Sequence, residues 1–198
     1  DVDDNTLSVA DSNSATNTIA ENATAGDGVG VKALGTDADH GTTIAYDFTS
    51  NPSNLFAIDA STGVITLNGS LDYESAQSHT VTIRATSTDT NGDTSTATKD
   101  ITIAVTDVDD NALSVADSNS ATNTIAENAT AGDGVGVKAL GTDADHGTSI
   151  AYDFTSNPSN LFAINASTGV ITLNGSLDYE SAQSHTIKVR ATSTDTNG

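Results

Sequence analysis

The sequence contains no cysteine, no methionine and no tryptophan, and aromatic residues make up only 4% of its 198 residues. Without cysteine the chain has no disulfide, no zinc–thiolate site and no thiol nucleophile. Such a chain suits export and folding outside the cell. No Ser/His/Asp set is marked out by its local context, so nothing in the sequence points to an enzyme.

Basic residues are also rare. Six Lys and Arg stand against 27 Asp and Glu, and the formal net charge is −21. This balance excludes binding to nucleic acid or to an anionic membrane through a basic face, and it makes cations the expected partners. No apolar run approaches the roughly 18 residues of a membrane-spanning helix, so we expect no membrane insertion. No signal peptide is visible, and we expect a soluble piece of a longer protein.

The chain is a tandem repeat with a period of 106 residues. Residues 1–92 overlay residues 107–198 with six differences. Where "HTVTIRATS" (79–87) becomes "HTIKVRATS" (185–193), Val81 and Ile83 stay aliphatic and the position between them stays polar. That alternation is typical of a strand with one buried face and one solvated face.

Short runs rich in Val, Ile and Thr recur through each repeat, separated by Gly, Asn, Asp and Ser. They predict strands near 29–34, 43–48, 63–67, 80–86 and 100–106, with Gly63 in a turn at positive φ. We see no convincing helix of ten residues or more, so the expected fold is all-β, a pair of antiparallel sandwiches. The predicted core residues are Ile44, Phe48, Phe56, Ile58, Val64, Ile65, Leu67, Val81, Ile83, Ile101, Ile103 and Val105.

The repeat predicts the domain limits. Residues 1–5 end a preceding repeat, 6–106 form repeat 1, 107–111 form a linker, and 112–198 form repeat 2 without an equivalent of the last strand, "DITIAVT" (100–106). A sandwich without an edge strand exposes apolar surface and unpaired backbone. Either the parent protein continues into that strand or a neighbouring chain supplies it.

Acidic clusters recur at fixed points, in loops and at strand ends. They are "AEN" (20–22), "TDADH" (36–40), "LDYE" (71–74) and "DVDDN" (107–111). In this order and spacing the chain resembles the cadherin repeat, in the variety found in large secreted repeat adhesins of bacteria (RTX-type extender domains). The resemblance covers nearly the whole chain. It implies a tandem cadherin-like, Ig-like Greek-key sandwich of seven strands per repeat, with Ca²⁺ between successive repeats.

The chemistry of these side chains agrees with that implication. Calcium takes six to eight oxygen ligands in a tolerant geometry, whereas magnesium demands a small octahedral shell. We expect two to three Ca²⁺ at the complete junction, bound by Glu21, Asp72, Glu74, Asp107, Val108, Asp109, Asp110, Asn111, Asp143, Asp145 and Asp195. Half-sites at the two ends would hold Asp1, Asp3, Asp4, Asn5, Asp37, Asp39, Asp89, Glu127, Asp178 and Glu180.

The sequence departs from the family pattern in several places. Asp109 stands where cadherins usually carry Asn, and Ser87 and Ser193 stand where an Asp is usual. Asp89 and Asp195, two residues further on, are the candidate substitutes. The N-terminal Trp that animal cadherins exchange in adhesion is absent, so the resemblance gives no support for that mode.

The near-identity of adjacent repeats favours a spacer. We expect calcium-dependent extender repeats of a bacterial cell-surface or secreted adhesin, with adjacent identical repeats as partners and a role in biofilm adhesion. The alternative is a calcium-dependent module that binds a cell-surface glycan or the same protein on another cell. The four His residues have no zinc-like spacing and are expected at the surface.

Overall fold

The computed structural model describes residues 6–38 and 41–196, and the chain divides into two compact units, residues 1–108 and 109–198. Both units are built from strands joined by turns, and their helical residues are confined to the short 3₁₀ turns Pro52–Asn54 and Pro158–Asn160. The predicted all-β sandwich class is therefore confirmed. The unit boundary lies inside the proposed linker 107–111, and the predicted limits of each repeat stay a prediction.

Unit 1 contains two four-stranded sheets. Its strands are β1 (Ser8–Asp11), β2 (Thr18–Ala20), β3 (Gly28–Thr36), β4 (Thr43–Ser50), β5 (Phe56–Ile58), β6 (Val64–Leu67), β7 (Ser78–Thr88) and β8 (Thr94–Thr106). One sheet has the order β1-β3-β6-β5 and the other the order β2-β8-β7-β4. All pairs are antiparallel except β2 with β8, which run parallel. All five predicted strands of the repeat are present.

Unit 1 has eight strands rather than seven because the first strand is interrupted. β1 pairs with β3 in one sheet, and β2 pairs with β8 in the other. The connecting segment passes so close to β3 that a Cβ on Gly30 would lie 2.2 Å from the carbonyl oxygen of Thr16. Gly30, at φ +78°, therefore lets the chain cross from one sheet to the other.

The core of unit 1 lies between the two sheets. Most predicted core residues are buried, and Ile44, Phe48 and Ile58 pack against the core while partly buried. Val64 was wrongly predicted, since it is 38% exposed. Its neighbours Ile65 and Leu67 take the inward positions of β6, and the two-residue period of a strand then turns Val64 outward.

Tyr46 was absent from the predicted core and is 7% exposed. Its hydroxyl oxygen accepts a hydrogen bond of 2.8 Å from the backbone N–H of Gly35. A phenol is easily buried when its polar end finds such a partner. Tyr152 is bound in the same way to Gly141 in unit 2.

Unit 2 repeats this plan with fewer strands. They are β9 (Ser114–Asp117), β10 (Gly134–Thr142), β11 (Ser149–Ser156), β12 (Phe162–Ile164), β13 (Val170–Leu173) and β14 (Lys188–Thr194). One sheet has the order β9-β10-β13-β12, whereas β11 and β14 form a two-stranded sheet. Within residues 109–196, no strand corresponds to β8. Nor does any helix in the described part of the chain have the length and apolar character to cross a membrane.

The turn between β5 and β6 is set by one carboxylate. Asp59 accepts backbone N–H bonds from Ser61 at 3.0 Å and Thr62 at 2.8 Å, and Gly63 closes the turn at φ +69°. The hydrogen bonds from Thr62 and Ser61 lower the pKa of Asp59. In unit 2, Asn165 makes the same two bonds with its amide oxygen.

The natural difference between Asp59 and Asn165 leads to a prediction about how the stability of the fold depends on pH. A lowered folded-state pKa adds stability that is present above the unfolded-state pKa and is lost as pH falls through the folded-state value. Asp59→Asn should therefore slightly lower the melting temperature at pH 7, and the difference from wild type should shrink as pH falls below the ordinary pKa of Asp and through the lowered folded-state pKa. The measurement is differential scanning calorimetry over a series of pH values from neutral to acidic. Asn165→Asp is the control. If the carboxylate stabilises the turn, this variant should unfold at a higher temperature than wild type at pH 7. If only the net charge of this acidic chain matters, the added negative charge should lower the melting temperature.

Candidate metal centre

Unit 1 gathers three carboxylates at one end of its sandwich. Glu21 directly follows β2, and Asp72 and Glu74 lie in the loop between β6 and β7. Each offers a carboxylate oxygen, and these oxygens all lie within 4.8 Å of one another. The structure thus brings together three of the predicted ligands of unit 1.

Glu21 holds this end of the unit together. It is only 5% exposed. One carboxylate oxygen accepts a 2.6 Å bond from the backbone N–H of Tyr73, and the other accepts a 2.7 Å bond from Val108. Its own N–H donates to the carbonyl oxygen of Thr106 at 3.1 Å. Val108 therefore contributes a backbone donor that orients Glu21, a role that the sequence did not indicate.

Asp107 lies between the two residues that bind the backbone and side chain of Glu21. Both of its carboxylate oxygens are buried and find no hydrogen-bond partner within the described residues. A buried, unpaired carboxylate is costly unless a cation or a donor compensates it. The ion pairs of the described residues, Arg84–Asp47 and Arg190–Asp153, do not involve this cluster. The donor set thus suits an added cation.

Asp72 is pre-oriented for such a cation. Its two carboxylate oxygens accept hydrogen bonds from the Ser75 side chain at 2.8 Å and the Ser75 backbone at 2.9 Å. These bonds lower the pKa of Asp72 and keep it ionised. Asp178 is bound in the same way by Ser181 in unit 2.

Unit 2 contains an acidic pocket with a volume of about 200 Å³. Asp143 and Asp145 follow the end of β10, and Asp195 follows the end of β14. The pocket is lined by Asp109, Asp143, Asp145, Thr148, Ser193, Thr194 and Asp195. All of these side chains offer oxygen atoms, the donor type that calcium prefers.

Asp145 anchors this pocket. It is 5% exposed and accepts a 2.9 Å bond from the Asn111 side-chain amide and longer bonds from the backbone of Asp110 and Asn111. The Asn111 bond is the main reason that the pKa of Asp145 is lowered. Asp110 and Asn111 therefore position the pocket through their N–H groups.

Asp109 has the least favourable electrostatic environment among the carboxylates of the pocket whose pKa is shifted. Its pKa is raised, first by a side-chain hydrogen bond with Asp145, then by burial and by repulsion from Asp145, Asp195 and Asp143. A bound divalent ion would offset this repulsion with its positive charge.

The predicted half-site residues lie in ordinary surface settings where they are described. Asp37 accepts a 3.4 Å bond from Ser95, and Asp89 caps the loop between β7 and β8 by binding the N–H groups of Asn91 and Asp93. Glu127 is exposed and accepts one bond from Tyr179. Glu180 is exposed beside Asp178. Asp1, Asp3, Asp4, Asn5 and Asp39 lie outside the described residues.

Sequence reasoning missed Thr148, Ser193 and Thr194 as members of the unit 2 pocket. Ser193 stands where the family pattern carries an Asp, and its hydroxyl is buried without a hydrogen-bond partner among the described residues. Asp195 lines the same pocket two residues later. The departure from the family pattern was the signal that could have identified Ser193.

The family model for the cadherin domain matches residues 15–105 and 121–198 of this chain. Human protocadherin Fat 4 is 42% identical over 164 residues, which is 81% of this chain and 3% of that protein. Human Cadherin-23 is 35% identical over 152 residues, or 76% of this chain and 4% of that protein. The chain thus spans a very small part of these relatives.

A solved structure gives the same fold. The crystal structure of mouse Cadherin-23 EC22-24 matches with a TM-score of 0.71 and 24% identity, covering 90% of this chain and 57% of that one.

The difference between Glu21 and its copy Glu127 gives a matched pair of variants. Glu21→Gln should remove a charged ligand from the unit 1 cluster and lower calcium affinity about tenfold or more. A tenfold loss reduces the calcium-dependent stabilisation by about 1.4 kcal/mol at saturating calcium. Urea unfolding with calcium and with chelator measures this increment. The control variant Glu127→Gln, at an exposed position, should keep most of the calcium-dependent stabilisation. An equal loss in both variants would contradict the assignment of Glu21 as a calcium ligand.

Proposed function

Because the chain belongs to the cadherin family of calcium-dependent adhesion repeats, we propose that its two repeats are structural extenders of a cell-surface adhesin. In this proposal, calcium makes the connection between consecutive repeats rigid. The parent protein is extracellular, as the relatives are, and we propose that it is a bacterial surface or secreted protein with a role in biofilms. The bacterial part of this proposal rests on the resemblance of the acidic motifs to bacterial repeat adhesins, since the relatives named above are human and mouse proteins.

The observation that carries the calcium proposal is Asp107. Its two oxygens are buried without hydrogen-bond partners, and its neighbours on both sides bind Glu21. Two like charges about 4 Å apart cost roughly 1 kcal/mol in water and about 4 kcal/mol at an effective dielectric of 20. The repulsion within a cluster of carboxylates therefore opposes folding when no cation is present. A bound divalent ion attracts the same carboxylates, so that the electrostatic energy of the cluster then favours folding.

We propose that two to three Ca²⁺ bind around the segment 107–111. Unit 1 would contribute its cluster with Asp107 and the backbone of Val108. Unit 2 would contribute its pocket with Asp110 and Asn111. The short distance along the chain supports this proposal. Asp107 belongs to unit 1 and Asp109 to unit 2, and only Val108 separates them in the sequence.

The pattern of differences between the repeats supports an extender. The six positions that differ are Thr6, Thr43, Asp59, Val81, Thr82 and Ile83, paired with Ala112, Ser149, Asn165, Ile187, Lys188 and Val189. None of them is a candidate calcium ligand. Repeats that keep the same ligands can each form the same junction with the next, as a rod of many units requires.

The mechanism is thermodynamic linkage. Calcium binds the folded, aligned connection more tightly than the unfolded or flexible one, so it stabilises both folding and alignment. Stabilisation reaches about 2.7 kcal/mol at a free calcium concentration of 100 times Kd. An extracellular medium rich in calcium would therefore switch the chain from a flexible to a rigid state.

Homophilic adhesion is the second candidate function. The relatives named here are protocadherins and cadherins, and Tyr179, in the acidic motif of the second repeat, is 55% exposed. An exposed aromatic side chain beside a calcium loop favours a contact surface. Glycan binding, the other form of the alternative, has no such support.

Calorimetry and small-angle X-ray scattering of the 198-residue chain, with calcium and with chelator, test the extender proposal. We expect saturable calcium binding and an increase in the maximum particle dimension and rigidity. Asp107→Asn/Asp109→Asn should weaken binding at least about tenfold, whereas Asp93→Asn/Asp100→Asn, with the same charge change outside the clusters, should not.

The outcomes separate the two functions. Calcium binding without a change in particle dimension would contradict the extender proposal. Calcium-dependent self-association in sedimentation velocity, weakened by Tyr179→Ser, would favour homophilic adhesion instead.

A further inference from the structure

Repeat 2 contains an asparagine motif that repeat 1 lacks. Asn165-Ala166-Ser167 has the form Asn-x-Ser/Thr, the acceptor pattern for N-linked glycans, whereas repeat 1 has Asp59 at the first position. Of the six positions that differ between the repeats, this is the one that exchanges a carboxylate for an amide. N-linked sugars are attached to the side chain of asparagine. The exchange therefore creates a candidate modification site in repeat 2 alone.

The motif lies in the turn between β12 and β13, and residues 165–168 are all exposed. The backbone of the turn is fixed to β11, because the carbonyl oxygen of Ala166 accepts a 2.9 Å bond from the N–H of Tyr152. The corresponding turn of unit 1, residues 59–62, is exposed in the same way. The exposure is therefore a property of the turn itself and holds in both units.

Hydrogen bonds hold the side chain of Asn165 in one orientation. Its amide oxygen accepts backbone N–H bonds from Ser167 at 3.0 Å and Thr168 at 2.9 Å. Both partners are donors, so the atom that they contact is the oxygen, and the other branch of the planar amide is the nitrogen Nδ2. Within the described residues, neither this nitrogen nor the Ser167 hydroxyl has a hydrogen-bond partner. Both groups are therefore available to an enzyme.

The chain has four further Asn-x-Ser/Thr motifs, two in each repeat. They begin at Asn22, Asn68, Asn128 and Asn174. In one pair the amide nitrogen is already used. Asn68 donates a side-chain N–H bond to the carbonyl oxygen of Asn54, and Asn174 donates one to that of Asn160, each at 3.0 Å. A sugar can be attached to either nitrogen only after this bond is broken.

In the other pair of motifs the hydroxyl is already used. The Thr24 hydroxyl donates a 3.1 Å bond to the carboxylate of Asp27, and the Thr130 hydroxyl donates a 3.2 Å bond to that of Asp133. The acceptor pattern requires a hydroxyl at its third residue, so a bonded hydroxyl makes the motif a poorer acceptor. Asn165 thus begins the one motif in which the nitrogen and the hydroxyl are both without a partner among the described residues.

We propose that Asn165 is an attachment site for an N-linked glycan and that the site is specific to repeat 2. The donor is a sugar whose anomeric carbon is esterified to a diphosphate. Nδ2 forms a bond to the anomeric carbon, the bond from that carbon to the diphosphate oxygen breaks, and Nδ2 loses one proton as the diphosphate leaves. The bonds of the amide oxygen stay in place. The site is independent of the calcium proposal.

In vitro glycosylation of the folded 198-residue chain in millimolar calcium tests the proposal. The reagents are UDP-glucose and a purified asparagine glycosyltransferase that recognises Asn-x-Ser/Thr, and mass spectrometry locates the added hexose. Peptides from the digested chain, treated in parallel, correct for the preference of the enzyme among the motifs. After this correction, Asn165 should react about fivefold faster, or more, than Asn68 and Asn174, where a hydrogen bond must first break.

Two results of this assay would overturn the proposal. One is the absence of hexose on Asn165 in the folded chain. The other is a corrected rate at Asn68 and Asn174 that equals the rate at Asn165, since the hydrogen bonds of the structure would then have no influence on the choice of site.

Variants of the turn provide matched controls. Asp59→Asn places the same motif in the corresponding turn of unit 1, so position 59 should gain hexose at a rate similar to that of Asn165. Asn165→Asp should abolish modification at its own position. Ser167→Ala keeps the amide and its backbone partners and should also abolish modification, while the melting temperature shows that the chain stays folded. Modification of Asn165 without modification of Asp59→Asn would refute the argument from the turn.

Discussion

The structure depends on how buried carboxylates are compensated. Glu21 is buried at the end of unit 1, where its oxygens accept N–H bonds from Tyr73 and Val108. These bonds join the loop after β6 to the segment after β8, but they also bring Glu21 close to Asp72 and Glu74. The same contacts that organise this end of the unit thus concentrate negative charge, and Asp107 has no compensating donor among the described residues. In the calcium proposal made above, folding and cation binding are therefore parts of one equilibrium.

Two almost identical repeats reach different degrees of order in this structure. In unit 1, β8 covers the floor of the sandwich and provides a partner for β2 and for the whole of β7. In unit 2, residues 124–126 form no strand, β14 is shorter than β7, and Glu127 is exposed where Glu21 is buried. Local propensity is therefore insufficient for these segments. Their strand structure requires a neighbouring strand, as is usual when pairing and burial outweigh intrinsic preference.

Much of the fold could be predicted from alternation and turn chemistry. The runs 29–34, 43–48, 80–86 and 100–106 all lie in strands, the run 63–67 forms β6 from Val64 onward, and Gly63 takes the positive φ expected of it. The short β1 and β2 were missed because four- and three-residue strands carry too little alternation to stand out. Val64 was misassigned because the apolar run "VITL" hides which residues point inward. The burial of Tyr46 depends on a hydrogen bond to Gly35, which no local pattern indicates.

The sequence by itself determined the repeat, the all-β class, the acidic character and the oxygen-rich residues that suit calcium, since these follow from composition, period and spacing. Only the tertiary structure decided which carboxylates are buried and which donors hold them. Ser75 and Asn111 orient Asp72 and Asp145, and Ser193 joins a pocket whose lining residues are distant in the sequence. Hydrogen bonds between loops set these positions, and the loops meet only when strands far apart in the chain pair. The burial of a strand's apolar face has the same origin, because it depends on the neighbouring strand and not on the strand's own residues.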